Sequence, residues 1–141
     1  MTRIVCDTNI LVSSVIKETG EVVQLILLFR QQKIELITSE KLLNELNNVL
    51  YYSHIKNRYN LSEEKIKKFV NFLRRRATII QGDYEVDTLD KIEPKDNKVL
   101  ACALEGKADY IISGDKKHIL PLKQFQGIQI VTVRQFLNTI E

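Results

Sequence analysis

Short apolar runs alternate along this chain with longer segments of helical periodicity. Such alternation is typical of repeated β-α units, which fold into a parallel sheet covered by helices. We therefore predict an α/β fold around a central parallel sheet of four to five strands. The predicted strands are Arg3–Cys6, Glu35–Thr38, Tyr110–Ser113 and Gln129–Val133, with Thr78–Ile80 as a weaker fifth.

Helical patterns fill the gaps between the predicted strands. The segment Glu63–Arg75 is the best specified: Ser62 can cap its start, and its terminal charges follow the order that the helix dipole prefers. The stretches Tyr51–Tyr59 and Gln81–Lys95 lack clear periodicity and are predicted to be surface connections. No repeat or break in composition divides the sequence, so we expect one domain over residues 1–141. The other predicted helices are Asn9–Ile16, Glu21–Gln31, Glu40–Leu50, Asn97–Glu105 and Arg134–Thr139.

Composition excludes several classes of protein. Hydrophobic residues make up 44% of the chain and charged residues 28%, as in globular rather than disordered or fibrous proteins. The net charge of +3 is too small to indicate a nucleic-acid partner by itself. Cys6 and Cys102 lie in apolar runs without a Cys-x-x-Cys pair, which predicts buried reduced thiols. Because the sequence shows no signal peptide and no membrane-spanning run, we expect a cytoplasmic location without membrane association.

Four acidic residues occupy positions where an α/β fold gathers ligands. Asp7 and Asp115 follow predicted strands, Asp96 opens a predicted helix, and Glu45 lies at the edge of the apolar stripe of another. In an open parallel sheet, the carboxyl ends of strands and the adjoining helix starts form the ligand crevice. Carboxylates gathered there repel one another unless their pKa values rise or cations bind between them. We therefore predict a site for hard divalent ions.

Each acid also has a purely structural explanation. Asp7 and Asp96 can cap the helices that follow them, Glu45 can form a surface ion pair, and Asp115 can belong to a Gly-Asp turn. One acid at a crevice-facing position can arise by chance, but four such acids on separate elements are much less expected. The four together therefore favour the metal-site interpretation. Lys98 is expected to project elsewhere on the helix that Asp96 opens.

The segments that carry these acids resemble the PIN-domain nucleases, especially the VapC-like toxins of bacterial and archaeal toxin–antitoxin systems. The resemblance spans nearly the whole chain and implies a three-layer α/β/α fold. It also implies that the four acids hold one or two Mg²⁺ or Mn²⁺ ions and support hydrolysis of RNA phosphodiester bonds. The matching segments are residues 3–13 with Asp-Thr-Asn, residues 39–50 around Glu45, residues 94–103, and residues 108–116 with Gly-Asp-Lys.

Separate roles are expected within this acidic site. Asp7 and Asp96 are assigned as the principal metal ligands, and Asp115 and Glu45 complete the site directly or through waters. One of the latter two accepts a proton from the attacking water. The residues expected to support the acids as hydrogen-bonding neighbours are Thr8, Asn9 and Ser113.

Basic residues are needed to hold nucleic acid around an acidic centre, and the candidates are Lys116, Lys117, Arg74 and Arg75. His118 departs from the pattern of the toxin branch, and we interpret it as a surface loop histidine rather than a phosphate contact. Apolar residues in the predicted helix from Glu21 exceed one narrow stripe. They indicate either a homodimer or higher-oligomer surface or a groove for a small antitoxin protein.

Two other functions remain open from the sequence. A catalytically inactive PIN-like module would bind RNA or a protein without cutting, although the presence of all four acids argues against it. A haloacid-dehalogenase-like phosphatase also places Asp after its first strand, but Asn9 stands where that chemistry wants a second Asp.

Overall fold

A single six-stranded sheet forms the centre of the computed structural model, which describes residues 1–90 and 93–140. In chain order its strands are β1 (Thr2–Cys6), β2 (Ile34–Ser39), β3 (Thr78–Ile80), β4 (Tyr110–Ile112), β5 (Gln124–Phe125) and β6 (Ile128–Val131). The spatial order is β3-β2-β1-β4-β6-β5. All neighbouring pairs are parallel except β5 and β6, which form an antiparallel hairpin.

Helices cover both faces of this sheet, because side chains on each strand alternate between two apolar cores. Ile4 packs into one core and its neighbour Val5 into the other, as expected for the two-residue period of a strand. The sixth helix supplies most of the helical residues of the second core, and the long helices before it face the first. The helices are α1 (Thr8–Ile16), α2 (Glu21–Arg30), α3 (Glu40–Tyr51), α4 (Ser53–Lys56), α5 (Glu63–Arg76), α6 (Asn97–Glu105) and α7 (Val133–Thr139).

The predicted three-layer α/β/α fold with a mostly parallel sheet is confirmed. Four short elements were not predicted: α4, β5 and the 3₁₀ turns Pro94–Asp96 and Leu120–Leu122. Helix α4 lies in the stretch Tyr51–Tyr59, which we interpreted as a surface connection, and its four residues are too few to show periodicity. Strand β5 has two residues and joins β6 through Gln126 and Gly127. Both of these residues have positive φ values, of 49° and 86°, which suit a tight hairpin turn.

Other boundaries differ from the sequence predictions by one or two residues. The last parallel strand ends at Val131 rather than Val133, because Thr132 and Gln135 form a capping box that starts α7. Helix α5 agrees with its prediction, including the Ser62 cap. The predicted surface connection from residue 81 to 95 includes residues 91 and 92, and the predicted domain includes residue 141. These three positions lie outside the described residues.

The two cysteines agree with the sequence prediction. Cys6 and Cys102 are free and buried, and burial raises the pKa of both thiols. Among the helices of residues 1–90 and 93–140, none combines the length and the apolar character that crossing a membrane requires.

Close packing at Gly106 fixes α6 against the sheet. A Cβ atom at this position would lie 2.5 Å from Cγ2 of Ile37, a fully buried residue of β2. The carbonyl of Gly106 also accepts hydrogen bonds from the guanidinium of Arg3, at 2.7 and 3.2 Å, which ties the end of α6 to β1. The glycine therefore allows the close approach that sets the position of α6, whose first turn reaches the acidic residues described below.

We predict that Gly106→Ala destabilises the fold by about 1–3 kcal/mol, because the added methyl overpacks the core against Ile37. Urea unfolding followed by circular dichroism measures the loss. Gly114→Ala is the matched control, since the nearest atom to its Cβ would be 3.9 Å away. Equal stability of the Gly106 variant and wild type would contradict this account of α6.

Candidate metal centre

The carboxyl ends of β1 and β4 meet where the strand order changes direction. The chain places β2 and β3 on one side of β1, and later places β4 and β6 on the other. The register pairs Cys6 with Ile112, and the backbone N–H of Asp7 donates to the carbonyl of Ile112 at 3.0 Å. Residues that follow these two strands therefore lie side by side, at the point where open parallel sheets bind ligands.

Asp7 is the most deeply buried of the four predicted acids, with 5% of its surface exposed. Its Oδ1 accepts a hydrogen bond from the N–H of Ile10 at 3.0 Å, which caps α1. Its Oδ2 accepts a hydrogen bond from the hydroxyl of Ser113. Burial raises the pKa of Asp7 and the charge of Asp115 adds to the rise, although these hydrogen bonds act against it. Asp7 is therefore a helix cap and also faces the strand that carries the next acid.

Ser113 connects Asp7 to Asp115. While its hydroxyl donates to Asp7, its Oγ accepts a hydrogen bond from the N–H of Asp115 at 2.9 Å. The Oδ1 of Asp115 in turn accepts the N–H groups of Lys117 and His118, at 3.0 and 3.1 Å. Burial acts to raise the pKa of Asp115, but these amides and the nearby imidazole outweigh it and lower the pKa. The turn after β4 thus holds Asp115 as a carboxylate.

Asp96 faces this carboxylate from the other side. It ends the 3₁₀ turn Pro94–Asp96 immediately before α6, but its side chain accepts no hydrogen bond from the described amides of that helix. One of its carboxylate oxygens instead lies within 4.8 Å of a carboxylate oxygen of Asp115. Burial and the charge of Asp115 raise the pKa of Asp96 to about 6. Helix capping therefore does not explain the position of this acid, which faces Asp115.

His118 completes a group of three candidate ligands. Its Nδ1 lies 3.3 Å from Oδ2 of Asp115 and 3.8 Å from Oδ2 of Asp96. Each of the three residues offers one ligand atom, and all these atoms lie within 4.8 Å of one another. His118 thus belongs to the acidic site, in contrast to our interpretation of it as a surface loop histidine. The spacing of the two residues was the signal in the sequence. An Asp side chain that accepts a hydrogen bond from the backbone N–H three residues later brings that residue close to the Asp.

Glu45 lies beside this group rather than within it. The hydroxyl of Thr8 donates to its Oε2 at 2.6 Å, and the ammonium of Lys98 lies 3.2 Å from its Oε1. Lys98 therefore points toward the acids, although we expected it to project elsewhere on α6. The Glu45–Lys98 ion pair connects α3 with α6 across the carboxyl end of the sheet.

The three predicted supporting residues differ in their contacts. Thr8 and Ser113 each donate a hydrogen bond to an acid of the site. Asn9 is exposed, and its side chain forms no hydrogen bond with the acids in the described part of the chain.

The four predicted basic residues lie in different places. Lys116 and Lys117 are exposed and follow Asp115 directly. Arg74 forms an ion pair with Glu40, and Arg75 lines a separate groove on the helical face. Within residues 1–90 and 93–140, no ion pair or hydrogen bond joins either arginine to the four acids. Of the four predicted basic residues, the two lysines are therefore the ones that follow an acid of the site directly.

The donor set fits a divalent cation. Asp96 and Asp115 present two carboxylates to the same space, and His118 adds an imidazole nitrogen. Carboxylate oxygens are the ligands that Mg²⁺ and Mn²⁺ prefer, and imidazole binds first-row transition metals. A cation between the carboxylates also relieves their repulsion. Three protein ligands leave coordination positions for water and for substrate phosphate.

The fold and the acidic residues at the switch point of the sheet define an α/β protein with a candidate metal site. Comparison with known proteins identifies the family of this protein. The sequence model of the PIN domain matches residues 3–117. The chain therefore belongs to the PIN domain family, whose members are generally nucleases that use divalent metals. A search of curated protein sequences finds no significant match.

A solved structure shares the fold. It is the crystal structure of VapBC2 from Rickettsia felis bound to a DNA fragment from their promoter. The matched chain is 17% identical in sequence, with a TM-score of 0.62, and the match covers 92% of this chain and 97% of that one. At this identity the match concerns the fold alone.

We predict that Asp96→Asn raises the melting temperature in EDTA at pH 8 by roughly 2–5 °C, because it removes one of two adjacent negative charges. The same variant should lose most of the stabilisation that Mn²⁺ gives to wild type. Differential scanning calorimetry with and without metal measures both effects. Asp87→Asn, an exposed acid on the connection before α6, is the control. A lower melting temperature in EDTA with an unchanged metal response would refute this assignment.

Proposed function

We propose that this chain is a divalent-metal-dependent endoribonuclease. The observation that carries the proposal is the convergence of the Asp96 and Asp115 carboxylates at the switch point of the sheet. Asp7 lies behind them and is connected to Asp115 through Ser113. Membership of a family whose members are generally nucleases supports the same activity.

Hydrolysis of a phosphodiester needs an activated water and relief of negative charge on the phosphate and on the leaving oxygen, and a bound divalent ion supplies all three. Asp96 and Asp115 would hold this ion, because their carboxylates face the same space. Asp7 would hold the ion directly or through a water. Its hydrogen bond from Ser113 fixes the carboxylate in either case. The protein thus supplies ligands that are already oriented before substrate binds.

The proton of the attacking water needs an acceptor that does not also hold the ion. Asp115 is committed to the turn after β4 through two amides, whereas Glu45 lies outside the group of three ligands. We assign Glu45 as the acceptor, with Thr8 and Lys98 fixing its two carboxylate oxygens. A base must lie within hydrogen-bond reach of the water. The ion pair between Glu45 and Lys98 supports this role, because it holds Glu45 at the carboxyl end of the sheet.

The surroundings of the acids support a nucleic-acid substrate. Lys116 and Lys117 are exposed next to Asp115, where they can neutralise phosphates on either side of the scissile bond. Because water is the nucleophile, the 2′-hydroxyl is not needed for the chemistry, and the preference for RNA rests on family resemblance. Single-stranded RNA is the first substrate to test, with single-stranded DNA as the comparison.

We predict that wild-type protein cleaves labelled single-stranded RNA with Mn²⁺ or Mg²⁺, and that EDTA abolishes the reaction. Asp115→Asn should reduce the rate about 100-fold or more, because it removes a ligand charge and disturbs the turn. The control Glu64→Gln changes an exposed acid on α5, in an ion pair with Lys68, and should cleave at the wild-type rate. Gel analysis of variants purified in parallel measures all the rates.

Two outcomes would contradict this function in different ways. If the folded protein binds RNA and metal but cuts none of a varied set of RNAs, the result would indicate a non-catalytic PIN-like module. Release of phosphate from a small monoester, without RNA cleavage, would indicate a phosphatase of the haloacid-dehalogenase type.

We further propose that the nuclease is the toxin of a toxin–antitoxin pair and that a small protein partner restrains it. The similar solved structure is of VapBC2 bound to promoter DNA, and its fold covers nearly all of this chain. A groove of about 730 Å³ on the helical face offers a place for such a partner. Its floor is apolar and its rim carries five cations and no acid among the described lining residues: Lys17, Arg30, Lys65, Lys68 and Arg75. This chemistry fits an acidic amphipathic segment.

The apolar side chains of α2 bear on the predicted oligomer. Leu25, Ile26 and Phe29 are buried in the core, which accounts for much of the apolar excess seen in the sequence. Leu27 remains 49% exposed. A homodimer or higher oligomer therefore remains a proposal, which light scattering of the purified protein tests.

We predict that expression of wild-type chain in a bacterial host arrests growth and that Asp115→Asn does not. Where a small protein is encoded beside this chain, its coexpression should restore growth. The double variant Lys17→Glu/Arg75→Glu should still arrest growth but should no longer be rescued, because it reverses the charge of the groove. Lys33→Glu changes an exposed lysine outside the groove and is the control. Full rescue of the double variant would rule out this docking site.

A further inference from the structure

The acidic site contains a nitrogen donor in addition to its carboxylates. The chain has two histidines, and one of them, His118, has its ring against both Asp96 and Asp115. Two interactions place it there. Its backbone N–H donates to Oδ1 of Asp115, and its Nδ1 lies 3.3 Å from Oδ2 of the same residue. The imidazole therefore approaches the acids by way of a hydrogen-bonded turn.

The spacing of these atoms is that of ligands around one ion. Ligands about 2.1 Å from a six-coordinate ion are separated by roughly 3.0 Å when adjacent and by roughly 4.2 Å when opposite. The distances from Nδ1 of His118 to the two Oδ2 atoms, 3.3 and 3.8 Å, fall within this range. An ion between them needs little rearrangement of the side chains.

A nitrogen ligand changes which divalent ion the site favours. Mg²⁺ strongly prefers oxygen ligands, whereas imidazole suits first-row transition metals, whose affinities for nitrogen-containing sites rise along the Irving–Williams series. Two carboxylates alone discriminate weakly between Mg²⁺ and Mn²⁺. Replacing a third oxygen or water by Nδ1 of His118 adds affinity mainly for the transition metal.

We propose that Nδ1 of His118 binds the metal directly, together with Asp96 and Asp115, and that this ligand makes the site select a transition-metal dication such as Mn²⁺ over Mg²⁺. The inference rests on the proposed function only for the presence of a divalent ion. It concerns binding, and it holds or fails whether or not RNA is cleaved.

The experiment uses Mn²⁺ as a spectroscopic probe of the full-length chain. Electron spin echo envelope modulation of bound Mn²⁺ detects coupling to a coordinated imidazole nitrogen. We expect this coupling in wild type and its loss in His118→Gln. Calorimetric titration should show Mn²⁺ affinity reduced about tenfold or more in the variant and Mg²⁺ affinity changed less than about threefold. Melting curves check that the variant is folded, since the backbone N–H that closes the turn is retained.

His54→Gln is the matched control, because it alters the other histidine, which is exposed on α4 and contacts Tyr52. This variant should keep both the nitrogen coupling and the preference for Mn²⁺.

Two results would overturn the proposal. Mn²⁺ bound by wild type without imidazole coupling would mean that His118 only balances the charge of the acids. Equal losses of Mn²⁺ and Mg²⁺ affinity in His118→Gln would mean that it positions the carboxylates without selecting the ion. Either result leaves the nuclease proposal intact, whereas absence of RNA cleavage with normal nitrogen coupling would contradict only the nuclease.

Discussion

Parallel pairing of β1 with β4 is the constraint on which the site depends. The two strands are 106 positions apart at the Cys6–Ile112 pair, and their register places the residues after both strands at one edge of the sheet. Ser113 then connects these residues, because its hydroxyl donates to Asp7 and accepts from the backbone of Asp115. A shift of one residue in this register would turn Ser113 to the opposite face of the sheet. The geometry of the acids is therefore a consequence of strand pairing in the core.

Electrostatic repulsion opposes this arrangement, and the fold supports each acid differently. Asp7 is stabilised by the amide of Ile10 and by a hydroxyl, and Asp115 by two amides of its own turn. Glu45 is stabilised by an ion pair with Lys98. Asp96 accepts no cap interaction from the described helix amides, and its pKa is raised to about 6. The energetic conflict is thus concentrated at Asp96, where a cation would relieve it.

Local sequence pattern predicted the elements and the order of the site residues well. The apolar runs ending at Cys6 and Ile112 and the capped helix after Ser62 follow from periodicity and caps, which are properties of neighbouring residues. The local sequence pattern did not predict the direction of long side chains at the carboxyl end of the sheet. Lys98 and His118 reach the acids through contacts with residues far along the chain or through a tight turn, and periodicity carries no signal for either.

Short elements were missed for a related reason. The two-residue strand β5 exists because Gln126 and Gly127 close a hairpin onto β6, and α4 has only one turn. Neither is long enough for a repeating pattern of apolar residues. Three of the four acids could be placed at one edge of the sheet from sequence, because Asp7 and Asp115 follow core strands and Asp96 precedes α6, where position along the element fixes position in the fold.

The position of a bound ion tests the central claim most directly. Crystals soaked in Mn²⁺ and measured at a wavelength where manganese scatters anomalously would show where the ion lies. Our account predicts an anomalous peak about 2.1–2.3 Å from carboxylate oxygens of both Asp96 and Asp115, at the carboxyl ends of β1 and β4. A well-ordered ion bound elsewhere, with these two carboxylates still facing each other without it, would contradict the account.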